Sequence, residues 1–172
     1  MVNKQGIKSK VAPEARCRQH RLRLLEVSQK VSALHLAGSF SCLEIVDTVY
    51  FDVKSESDIF LLSKGHSGLA QYVVLESLGI LPLEHLDSYA AVDALLGVHP
   101  TADIPGIYFG TGSLGHGLNI AVGAAVYRRN RSGRVFVVLS DGELQEGSTW
   151  EGIINAPALK LRNLTVIIDF ND

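Results

Sequence analysis

The sequence has only two cysteines among its 172 residues, and it has no apolar run of the roughly 20 residues that cross a bilayer. Cys17 and Cys42 are too few for a disulfide framework, which indicates a reducing compartment. The opening segment MVNKQGIKSK lacks the apolar middle of a signal peptide. We therefore expect a soluble, cytoplasmic protein with no membrane partner.

Charge is unevenly distributed along the chain. Residues 1–23 contain seven Lys/Arg and one acid, whereas the remainder contains nine Lys/Arg and seventeen acids. A basic arm can bind nucleic acid, but no aromatic residues that would stack on bases are interleaved with this one. We predict a flexible basic tail over residues 1–12, one folded domain over 13–172, and no nucleic-acid partner.

Several nucleotide and metal motifs are missing or incomplete. Walker A, His-Glu-x-x-His and Cys-x-x-Cys patterns do not occur. The segment Gly110–Gly115, GTGSLG, matches the dinucleotide pattern G-x-G-x-x-G, but no acid lies between Asp103 and Asp141 to bind a ribose about 20 residues on. A nicotinamide-binding domain is therefore disfavoured, and the glycines indicate a close-packed helix entry or a backbone approached by a ligand.

Hydrophobic spacing predicts helices and one strand in the first two thirds of the chain. A helix is predicted from Pro13 to the segment LHLAGSFS, and a second, short helix over Cys42–Tyr50. The strand DIFLLS is followed by KGHSG and by the helix LAQYVVLESLG, and Pro82 is predicted to open a short helix. The segment LNIAVGAAVYRRN is predicted to be a further helix.

The last third of the chain predicts a strand, a helix and a second strand. Val135–Leu139 and the segment LTVIID are apolar on both faces, and Ser148 with Glu151 predicts a capping box at the start of a helix reaching about Lys160. Such strands alternating with helices are typical of an α/β fold with a parallel sheet and helices on both faces.

Polar residues follow both of these strands. If a right-handed crossover joins them, Asp141 and Asn171 emerge at the carboxyl edge of the sheet, where α/β proteins bind ligands. On neighbouring strands, about 4.8 Å apart, a carboxylate and an amide oxygen can share Mg²⁺ or Ca²⁺, with diphosphate oxygens completing the shell. The alternative is that Asp141 begins a turn and Asn171 caps one.

The strand DIFLLS also ends in polar residues. It delivers Lys64, Gly65 and His66 to a helix N-terminus, where free N–H groups and the helix dipole favour an anion. The alternative is an ordinary surface loop.

The segment SDGELQEGSTWEG, with Asn171 downstream, resembles the thiamine diphosphate signature Gly-Asp-Gly followed by Asn. The segments HLAGSFSCLEIVDTVYF, LLSKGHSGLAQY, GVHP and GTGSLGHGLNIAVGAA occur in the order of the transketolase family. From about residue 14 onward, the chain resembles the N-terminal, diphosphate-binding subunit of a two-chain transketolase.

This resemblance implies a set of site residues. Asp141 and Asn171 would be ligands of the metal that anchors thiamine diphosphate, which is Mg²⁺ with Ca²⁺ or Mn²⁺ as alternatives. His35 and His99 would touch substrate or assist proton transfer. The residues implied to contact the cofactor are His66, Gly112, Leu114, Gly142 and Asn171. Glu146 resembles a buried glutamate at a dimer interface, and Glu143 is assigned no role beyond solvation.

The resemblance also implies a partner. The pyrimidine-binding domain of transketolase, with its activating glutamate, has no counterpart here, so a C-terminal subunit should supply it in a heterotetramer of two copies of each chain. The family's third metal ligand, a backbone carbonyl, would fall at position 173, beyond Asp172, so the diphosphate domain is expected to be incomplete at its C-terminal end. The implied reaction transfers a two-carbon ketol unit from a ketose phosphate to an aldose phosphate.

Two departures and two rival hypotheses accompany this interpretation. Ser140 stands where the signature has its first glycine, and LHLAG around His35 is less rich in glycine than the family form. The alpha subunit of a thiamine-dependent 2-oxo-acid dehydrogenase shares the metal motif, although its loop usually reads Asn-Gln-Gly where this chain has LQEG. A non-catalytic fragment that keeps the sheet but binds no cofactor is the second rival.

Overall fold

The computed structural model describes residues 11–31 and 34–171. Apart from residues 11 and 12, the tail predicted over 1–12 lies outside the described residues. The helices are α1 (Pro13–Ser28), α2 (Leu36–Thr48), α3 (Gly68–Ser77), α4 (Leu83–Asp87), α5 (Gly117–Tyr127) and α6 (Gly147–Ala158). The strands are β1 (Ile59–Leu62), β2 (Val135–Ser140) and β3 (Leu164–Asp169). Across these ranges, no helix combines the length and apolar character needed to span a bilayer.

The three strands form one parallel sheet in the order β1-β2-β3. Val135 in β2 pairs with Ile59 in β1 and with Leu164 in β3, and Ser140 pairs with Asp169 at the far end. This confirms the predicted parallel strands and makes β2 and β3 neighbours. The three strands therefore end at the same edge of the sheet.

Helices cover both faces of the sheet, as predicted. One set of strand residues packs with α1, α2 and α3, and comprises Phe60, Leu62, Phe136 and Val138. The alternate set packs with α5 and α6, and comprises Ile59, Leu61, Val135, Val137 and Leu139. Because successive side chains on a strand point to opposite faces, these alternate sets form two core layers. The expectation that every strand is buried on both faces is wrong for β3, where Val166 and Ile168 are 39% and 40% exposed.

The predicted boundary between the first two helices is wrong. The structure ends α1 at Ser28 and begins α2 at Leu36, well before Cys42, and a wide helical turn at Val49–Val53 continues α2. The first turn of α2 contains small residues, so it carries little hydrophobic periodicity. Gly38 in that turn packs closely, since a Cβ there would lie 2.7 Å from Ser67 Oγ.

The capping box predicted at Ser148 and Glu151 is also wrong. The structure begins α6 at Gly147, so Ser148 already lies inside the helix. Its hydroxyl donates to the carbonyl oxygen of Gly115 at 2.8 Å. Ser148 thus joins α6 to the glycine-rich segment before α5, a tertiary contact that local spacing does not reveal.

Two glycines of α5 give a matched test of packing. A Cβ on Gly117 would lie 2.2 Å from Ser63 Oγ and 2.8 Å from Ser63 Cα, whereas a Cβ on Gly123 would meet nothing within 4 Å. We expect Gly117→Ala to lower the free energy of unfolding by about 1–3 kcal/mol through overpacking. Gly123→Ala should raise it by about 0.5–1 kcal/mol through helix propensity. Urea unfolding followed by circular dichroism measures both, and equal effects would contradict the packing described here.

Candidate functional site

Polar residues follow the carboxyl ends of all three strands. Ser63 and Lys64 follow β1, Asp141 follows β2, and Asn171 lies two residues beyond β3. The Asp141 N–H donates to the Asp169 carbonyl oxygen at 3.1 Å and so extends the pairing of β2 with β3 past their last residues. The structure therefore brings Asp141 and Asn171 to the same edge, the juxtaposition expected from the sequence.

The side-chain oxygens of Asp141 and Asn171 suit a hard cation. Asp141 is partly exposed, and its Oδ1 accepts a hydrogen bond from Gly142 N at 2.8 Å. Asn171 is exposed, with its Oδ1 2.7 Å from the Ser41 hydroxyl. Within the part of the chain that the structure describes, no three His, Cys, Asp or Glu side chains gather to hold a metal. Two protein oxygens at a strand edge fit Mg²⁺ whose shell is completed by phosphate oxygens.

A buried ion pair lies beside this edge. The Lys64 ammonium group pairs with the Asp169 carboxylate, and both side chains are almost fully buried. The Ser41 hydroxyl lies 2.8 Å and 2.7 Å from the two oxygens of that carboxylate and 2.7 Å from Asn171 Oδ1. A hydroxyl has one proton, so Ser41 donates to one of these acceptors at a time. Lys64 thus acts on the end of β3 and is not an exposed phosphate ligand.

The three histidines singled out from the sequence lie in one region. The rings of His35 and His66 are 5.4 Å apart and meet edge to face. A Cβ on Gly112 would lie 3.6 Å from His99 Cγ, so the glycine-rich segment passes against that ring. Burial lowers the pKa of His66, and the positive charge of Lys64 and the nearby His35 lower it further. His66 is therefore neutral at neutral pH, with one ring nitrogen as donor and the other as acceptor.

The lowered pKa of His66 predicts a pH-dependent stability. Below the ordinary value of 6.5 the unfolded chain binds this proton more readily than the folded chain, so the free energy of unfolding should fall as the pH falls. The contribution of His66 to the free energy of unfolding is fully present above the unfolded pKa and is lost as the pH falls through the folded pKa. The free energy of unfolding in urea is measured at about pH 7.5 and at about pH 5.5. The difference between the two values should be smaller in His66→Gln than in the wild type. An identical difference in the two proteins would contradict this expectation.

The glycine-rich segment lies over the loop that follows β1. Thr111 Oγ1 donates to the Leu62 carbonyl at 2.8 Å, and a Cβ on Gly65 would lie 2.6 Å from the Thr111 carbonyl oxygen. Gly112 and Leu114 are half-buried beside this contact. Glycine at position 65 therefore allows the two backbones to approach closely. This approach places the glycine-rich segment, which the resemblance implies to contact the cofactor, next to His66.

The assignment of Glu143 to solvation is wrong. Its side chain is fully buried and accepts hydrogen bonds from the Ser63 hydroxyl, from Gly115 N at 3.0 Å and from Ser140 N at 2.9 Å. Glu146, three residues later, is exposed in this chain and precedes α6.

A local signal for Glu143 was present in the sequence. Ser140-Asp-Gly-Glu143 has the Ser-x-x-Glu spacing, and its bonds are reciprocal, since Glu143 N also donates to Ser140 Oγ at 3.3 Å. Ser140 and Glu143 therefore make the reciprocal bonds of a capping box, and Asp141 between them is the N-cap residue of the short turn Gly142–Gln145. Ser140 is the last residue of β2 and is not among the described non-glycine residues with positive φ, so its backbone does not require the first glycine of the signature.

The fold and this edge define an α/β protein with polar side chains at the carboxyl ends of its parallel strands, the place where proteins of this class bind ligands. Residues 47–172 match the family model of the transketolase thiamine diphosphate binding domain. The chain belongs to the transketolase family.

Relatives support this assignment. One subunit of the apulose-4-phosphate transketolase of Phocaeicola vulgatus is 37% identical over 169 residues, which cover 92% of this chain and 60% of that protein. A 6-deoxy-6-sulfo-D-fructose transketolase subunit of Clostridium sp. is 33% identical over 159 residues, covering 86% of this chain and 58% of the relative. The chain thus spans about 60% of the length of these curated relatives.

Solved structures show the same fold. The transketolase of Leishmania mexicana superimposes with a TM-score of 0.87 at 24% identity, over 95% of this chain and 28% of that chain. A transketolase mutant of Pichia stipitis, solved with fructose 6-phosphate, gives a TM-score of 0.83 at 26% identity, over 93% of this chain and 27% of that chain. The three-stranded sheet described here therefore corresponds to part of a larger protein in each case.

Proposed function

We propose that this chain is the diphosphate-binding subunit of a two-chain transketolase. Together with a C-terminal subunit that carries a pyrimidine-binding domain, it transfers a two-carbon ketol unit from a ketose phosphate to an aldose phosphate. The observation that carries the proposal is the arrival of Asp141 and Asn171 at the ends of adjacent parallel strands, inside residues that match the family. Relatives named as transketolase subunits support the two-chain arrangement.

The proposed roles follow the geometry of the edge. Asp141 and Asn171 hold Mg²⁺, which Ca²⁺ or Mn²⁺ can replace, and the metal holds the diphosphate. The Gly142 backbone contacts the cofactor beside that metal, and neutral His66 donates to the diphosphate. Gly112 and Leu114 flank the cofactor, and His35 and His99 face the substrate. When bound, thiamine diphosphate supplies the electron sink for breaking the bond between two carbons.

The proposal extends to assembly and location. We place one domain over residues 13–172, two copies of each chain in a heterotetramer, and the reaction in the cytoplasm. Cys17 and Cys42, both buried free thiols, support a reducing compartment.

The test pairs this chain with its partner. The chain is purified alone and after co-expression with the adjacent reading frame, and ketol transfer is measured over a panel of ketose phosphates with Mg²⁺ and thiamine diphosphate. We expect activity only in the complex, and calorimetric binding of the cofactor to this chain alone. Ketol transfer by the isolated chain would contradict the two-chain proposal.

The same measurements separate the rival functions. Oxidative decarboxylation of pyruvate by the complex, in place of ketol transfer, would favour the alpha subunit of a 2-oxo-acid dehydrogenase. If neither the chain nor the complex releases heat with thiamine diphosphate and Mg²⁺, a non-catalytic fragment is favoured.

A further inference from the structure

Glu143 joins three separate loops through one carboxylate. Its Oε1 accepts from the Ser63 hydroxyl, which follows β1, and from Gly115 N in the glycine-rich segment, and its Oε2 accepts from Ser140 N at the end of β2. The side chain is 0% exposed. Ser63 is 80 residues away along the chain, so this contact exists only in the folded protein.

Each donor lies close in sequence to a residue placed in the proposed site. Ser63 precedes Lys64 and the turn that contains His66, Gly115 follows Leu114, and Ser140 precedes Asp141. Movement of any of the three donors would therefore move a group that faces the cofactor. The carboxylate therefore ties the loop after β1, the glycine-rich segment and the end of β2 to one another.

The surrounding packing leaves these loops little freedom. A Cβ on Gly115 would lie 2.6 Å from Ser148 Oγ, and Gly115 itself has a positive φ of 81°. A Cβ on Gly117 would meet Ser63. A buried carboxylate is costly unless it is well hydrogen-bonded, and these three donors would in turn be left without an acceptor if the side chain were apolar. What the carboxylate adds is a pair of acceptors with a fixed geometry.

Resting on the proposed function, we infer that Glu143 is a positioning residue for the metal and diphosphate site. Its carboxylate holds the loop after β1, the glycine-rich segment and the end of β2 in the relative arrangement that binds Mg²⁺-thiamine diphosphate. It acts through Ser63, Gly115 and Ser140 and does not itself touch the cofactor.

The test compares cofactor affinity with loop protection in the full chain. Glu143→Gln keeps the shape but replaces one acceptor with an NH₂ group, so at least one of the N–H or O–H donors loses its partner. By calorimetry with Mg²⁺-thiamine diphosphate, Glu143→Gln should bind at least about tenfold more weakly than the wild type. In ligand-free Glu143→Ala, amide hydrogen exchange should accelerate in segments 62–66, 113–117 and 139–142 together.

Two controls separate positioning from lost stability. Glu151→Gln removes an exposed carboxylate from α6 and should leave both measurements unchanged. Val27→Ala removes buried apolar volume from α1 and should lower the melting temperature without changing the dissociation constant of the cofactor. If Glu143→Gln binds the cofactor more weakly than Val27→Ala when the two variants have similar melting temperatures, the positioning role of Glu143 is supported. Equal affinity of the two variants for the cofactor overturns that role.

The hydrogen-exchange measurement still tests the bridge made by Glu143 if the isolated wild-type chain binds no cofactor. That result would contradict the expected binding of the cofactor by the isolated chain, and absence of binding in the complex as well would contradict the proposed function. Acceleration in all three segments would still support the bridge made by Glu143, whereas acceleration confined to 139–142 would overturn it. If Glu143→Ala does not fold, exchange in Glu143→Gln is measured, and exchange unchanged outside 139–142 overturns the inference.

Discussion

Replacing Asp141 with alanine is expected to weaken binding of Mg²⁺-thiamine diphosphate by about 100-fold or more. Two unit charges 4 Å apart interact by about 4 kcal/mol at the effective dielectric constant near a protein surface, and each 1.4 kcal/mol corresponds to about a factor of ten. Asp141 is partly exposed, so the dielectric constant for charges near a protein surface is the appropriate one for this carboxylate. Calorimetry with the ligand-free chain measures the change directly.

Two further variants serve as an intermediate and a control for the affinity measured in Asp141→Ala. Asp141→Asn keeps an oxygen ligand but removes the charge, so its affinity should fall between those of the wild type and Asp141→Ala. Glu84→Gln, which neutralises an exposed carboxylate on α4, should bind as the wild type does. Undiminished binding in Asp141→Ala would exclude Asp141 as a metal ligand and would remove the main support for the proposed function.

Replacing Lys64 with methionine is expected to lower the free energy of unfolding by about 3–5 kcal/mol. The side chains of Lys64 and Asp169 are 2% and 6% exposed, so the substitution leaves a buried carboxylate with no cation beside it. Ser41 continues to donate to that carboxylate but cannot neutralise it. Urea unfolding at neutral pH gives the difference.

An exposed ion pair in the same fold provides the comparison. The side chains of Arg21 and Glu44 are 41% and 48% exposed, so Arg21→Met should cost only about 0–1 kcal/mol. In the double variant Lys64→Met/Asp169→Asn, the unpaired charge is absent and part of the loss should be recovered. A loss in Lys64→Met no larger than that in Arg21→Met would show that the buried pair contributes little.

The proposed metal side of the site follows from local patterns. The apolar strands before Asp141 and Asn171, and the helix between them, have periodicities that the sequence displays directly, and right-handed crossover makes such strands parallel. The sequence left open whether β2 and β3 are neighbours, and the structure pairs them directly. The placement of both residues at one edge could therefore be predicted, whereas their roles as ligands remain proposals.

The boundaries and polar contacts were harder to predict, for specific reasons. The first turn of α2 packs through small residues such as Gly38, so its buried face produces no hydrophobic signal. Two Ser-x-x-Glu patterns occur close together, and only the one at Ser140 forms a capping box, because Ser148 donates to Gly115 instead. The two segments have the same local pattern, and only a contact with a distant part of the chain decides which of them forms a capping box.

The sequence by itself determined the parallel strands, the helices on both faces, and the edge at which Asp141 and Asn171 meet. Only the tertiary structure decided that Glu143 and Lys64 are buried and which distant groups they bind. The partners of these two side chains, Ser63 and Asp169, lie 80 and 105 residues away along the chain. Periodicity reports which face of an element is apolar, but a buried charge is stabilised by particular donors whose positions are set only when distant segments pack together.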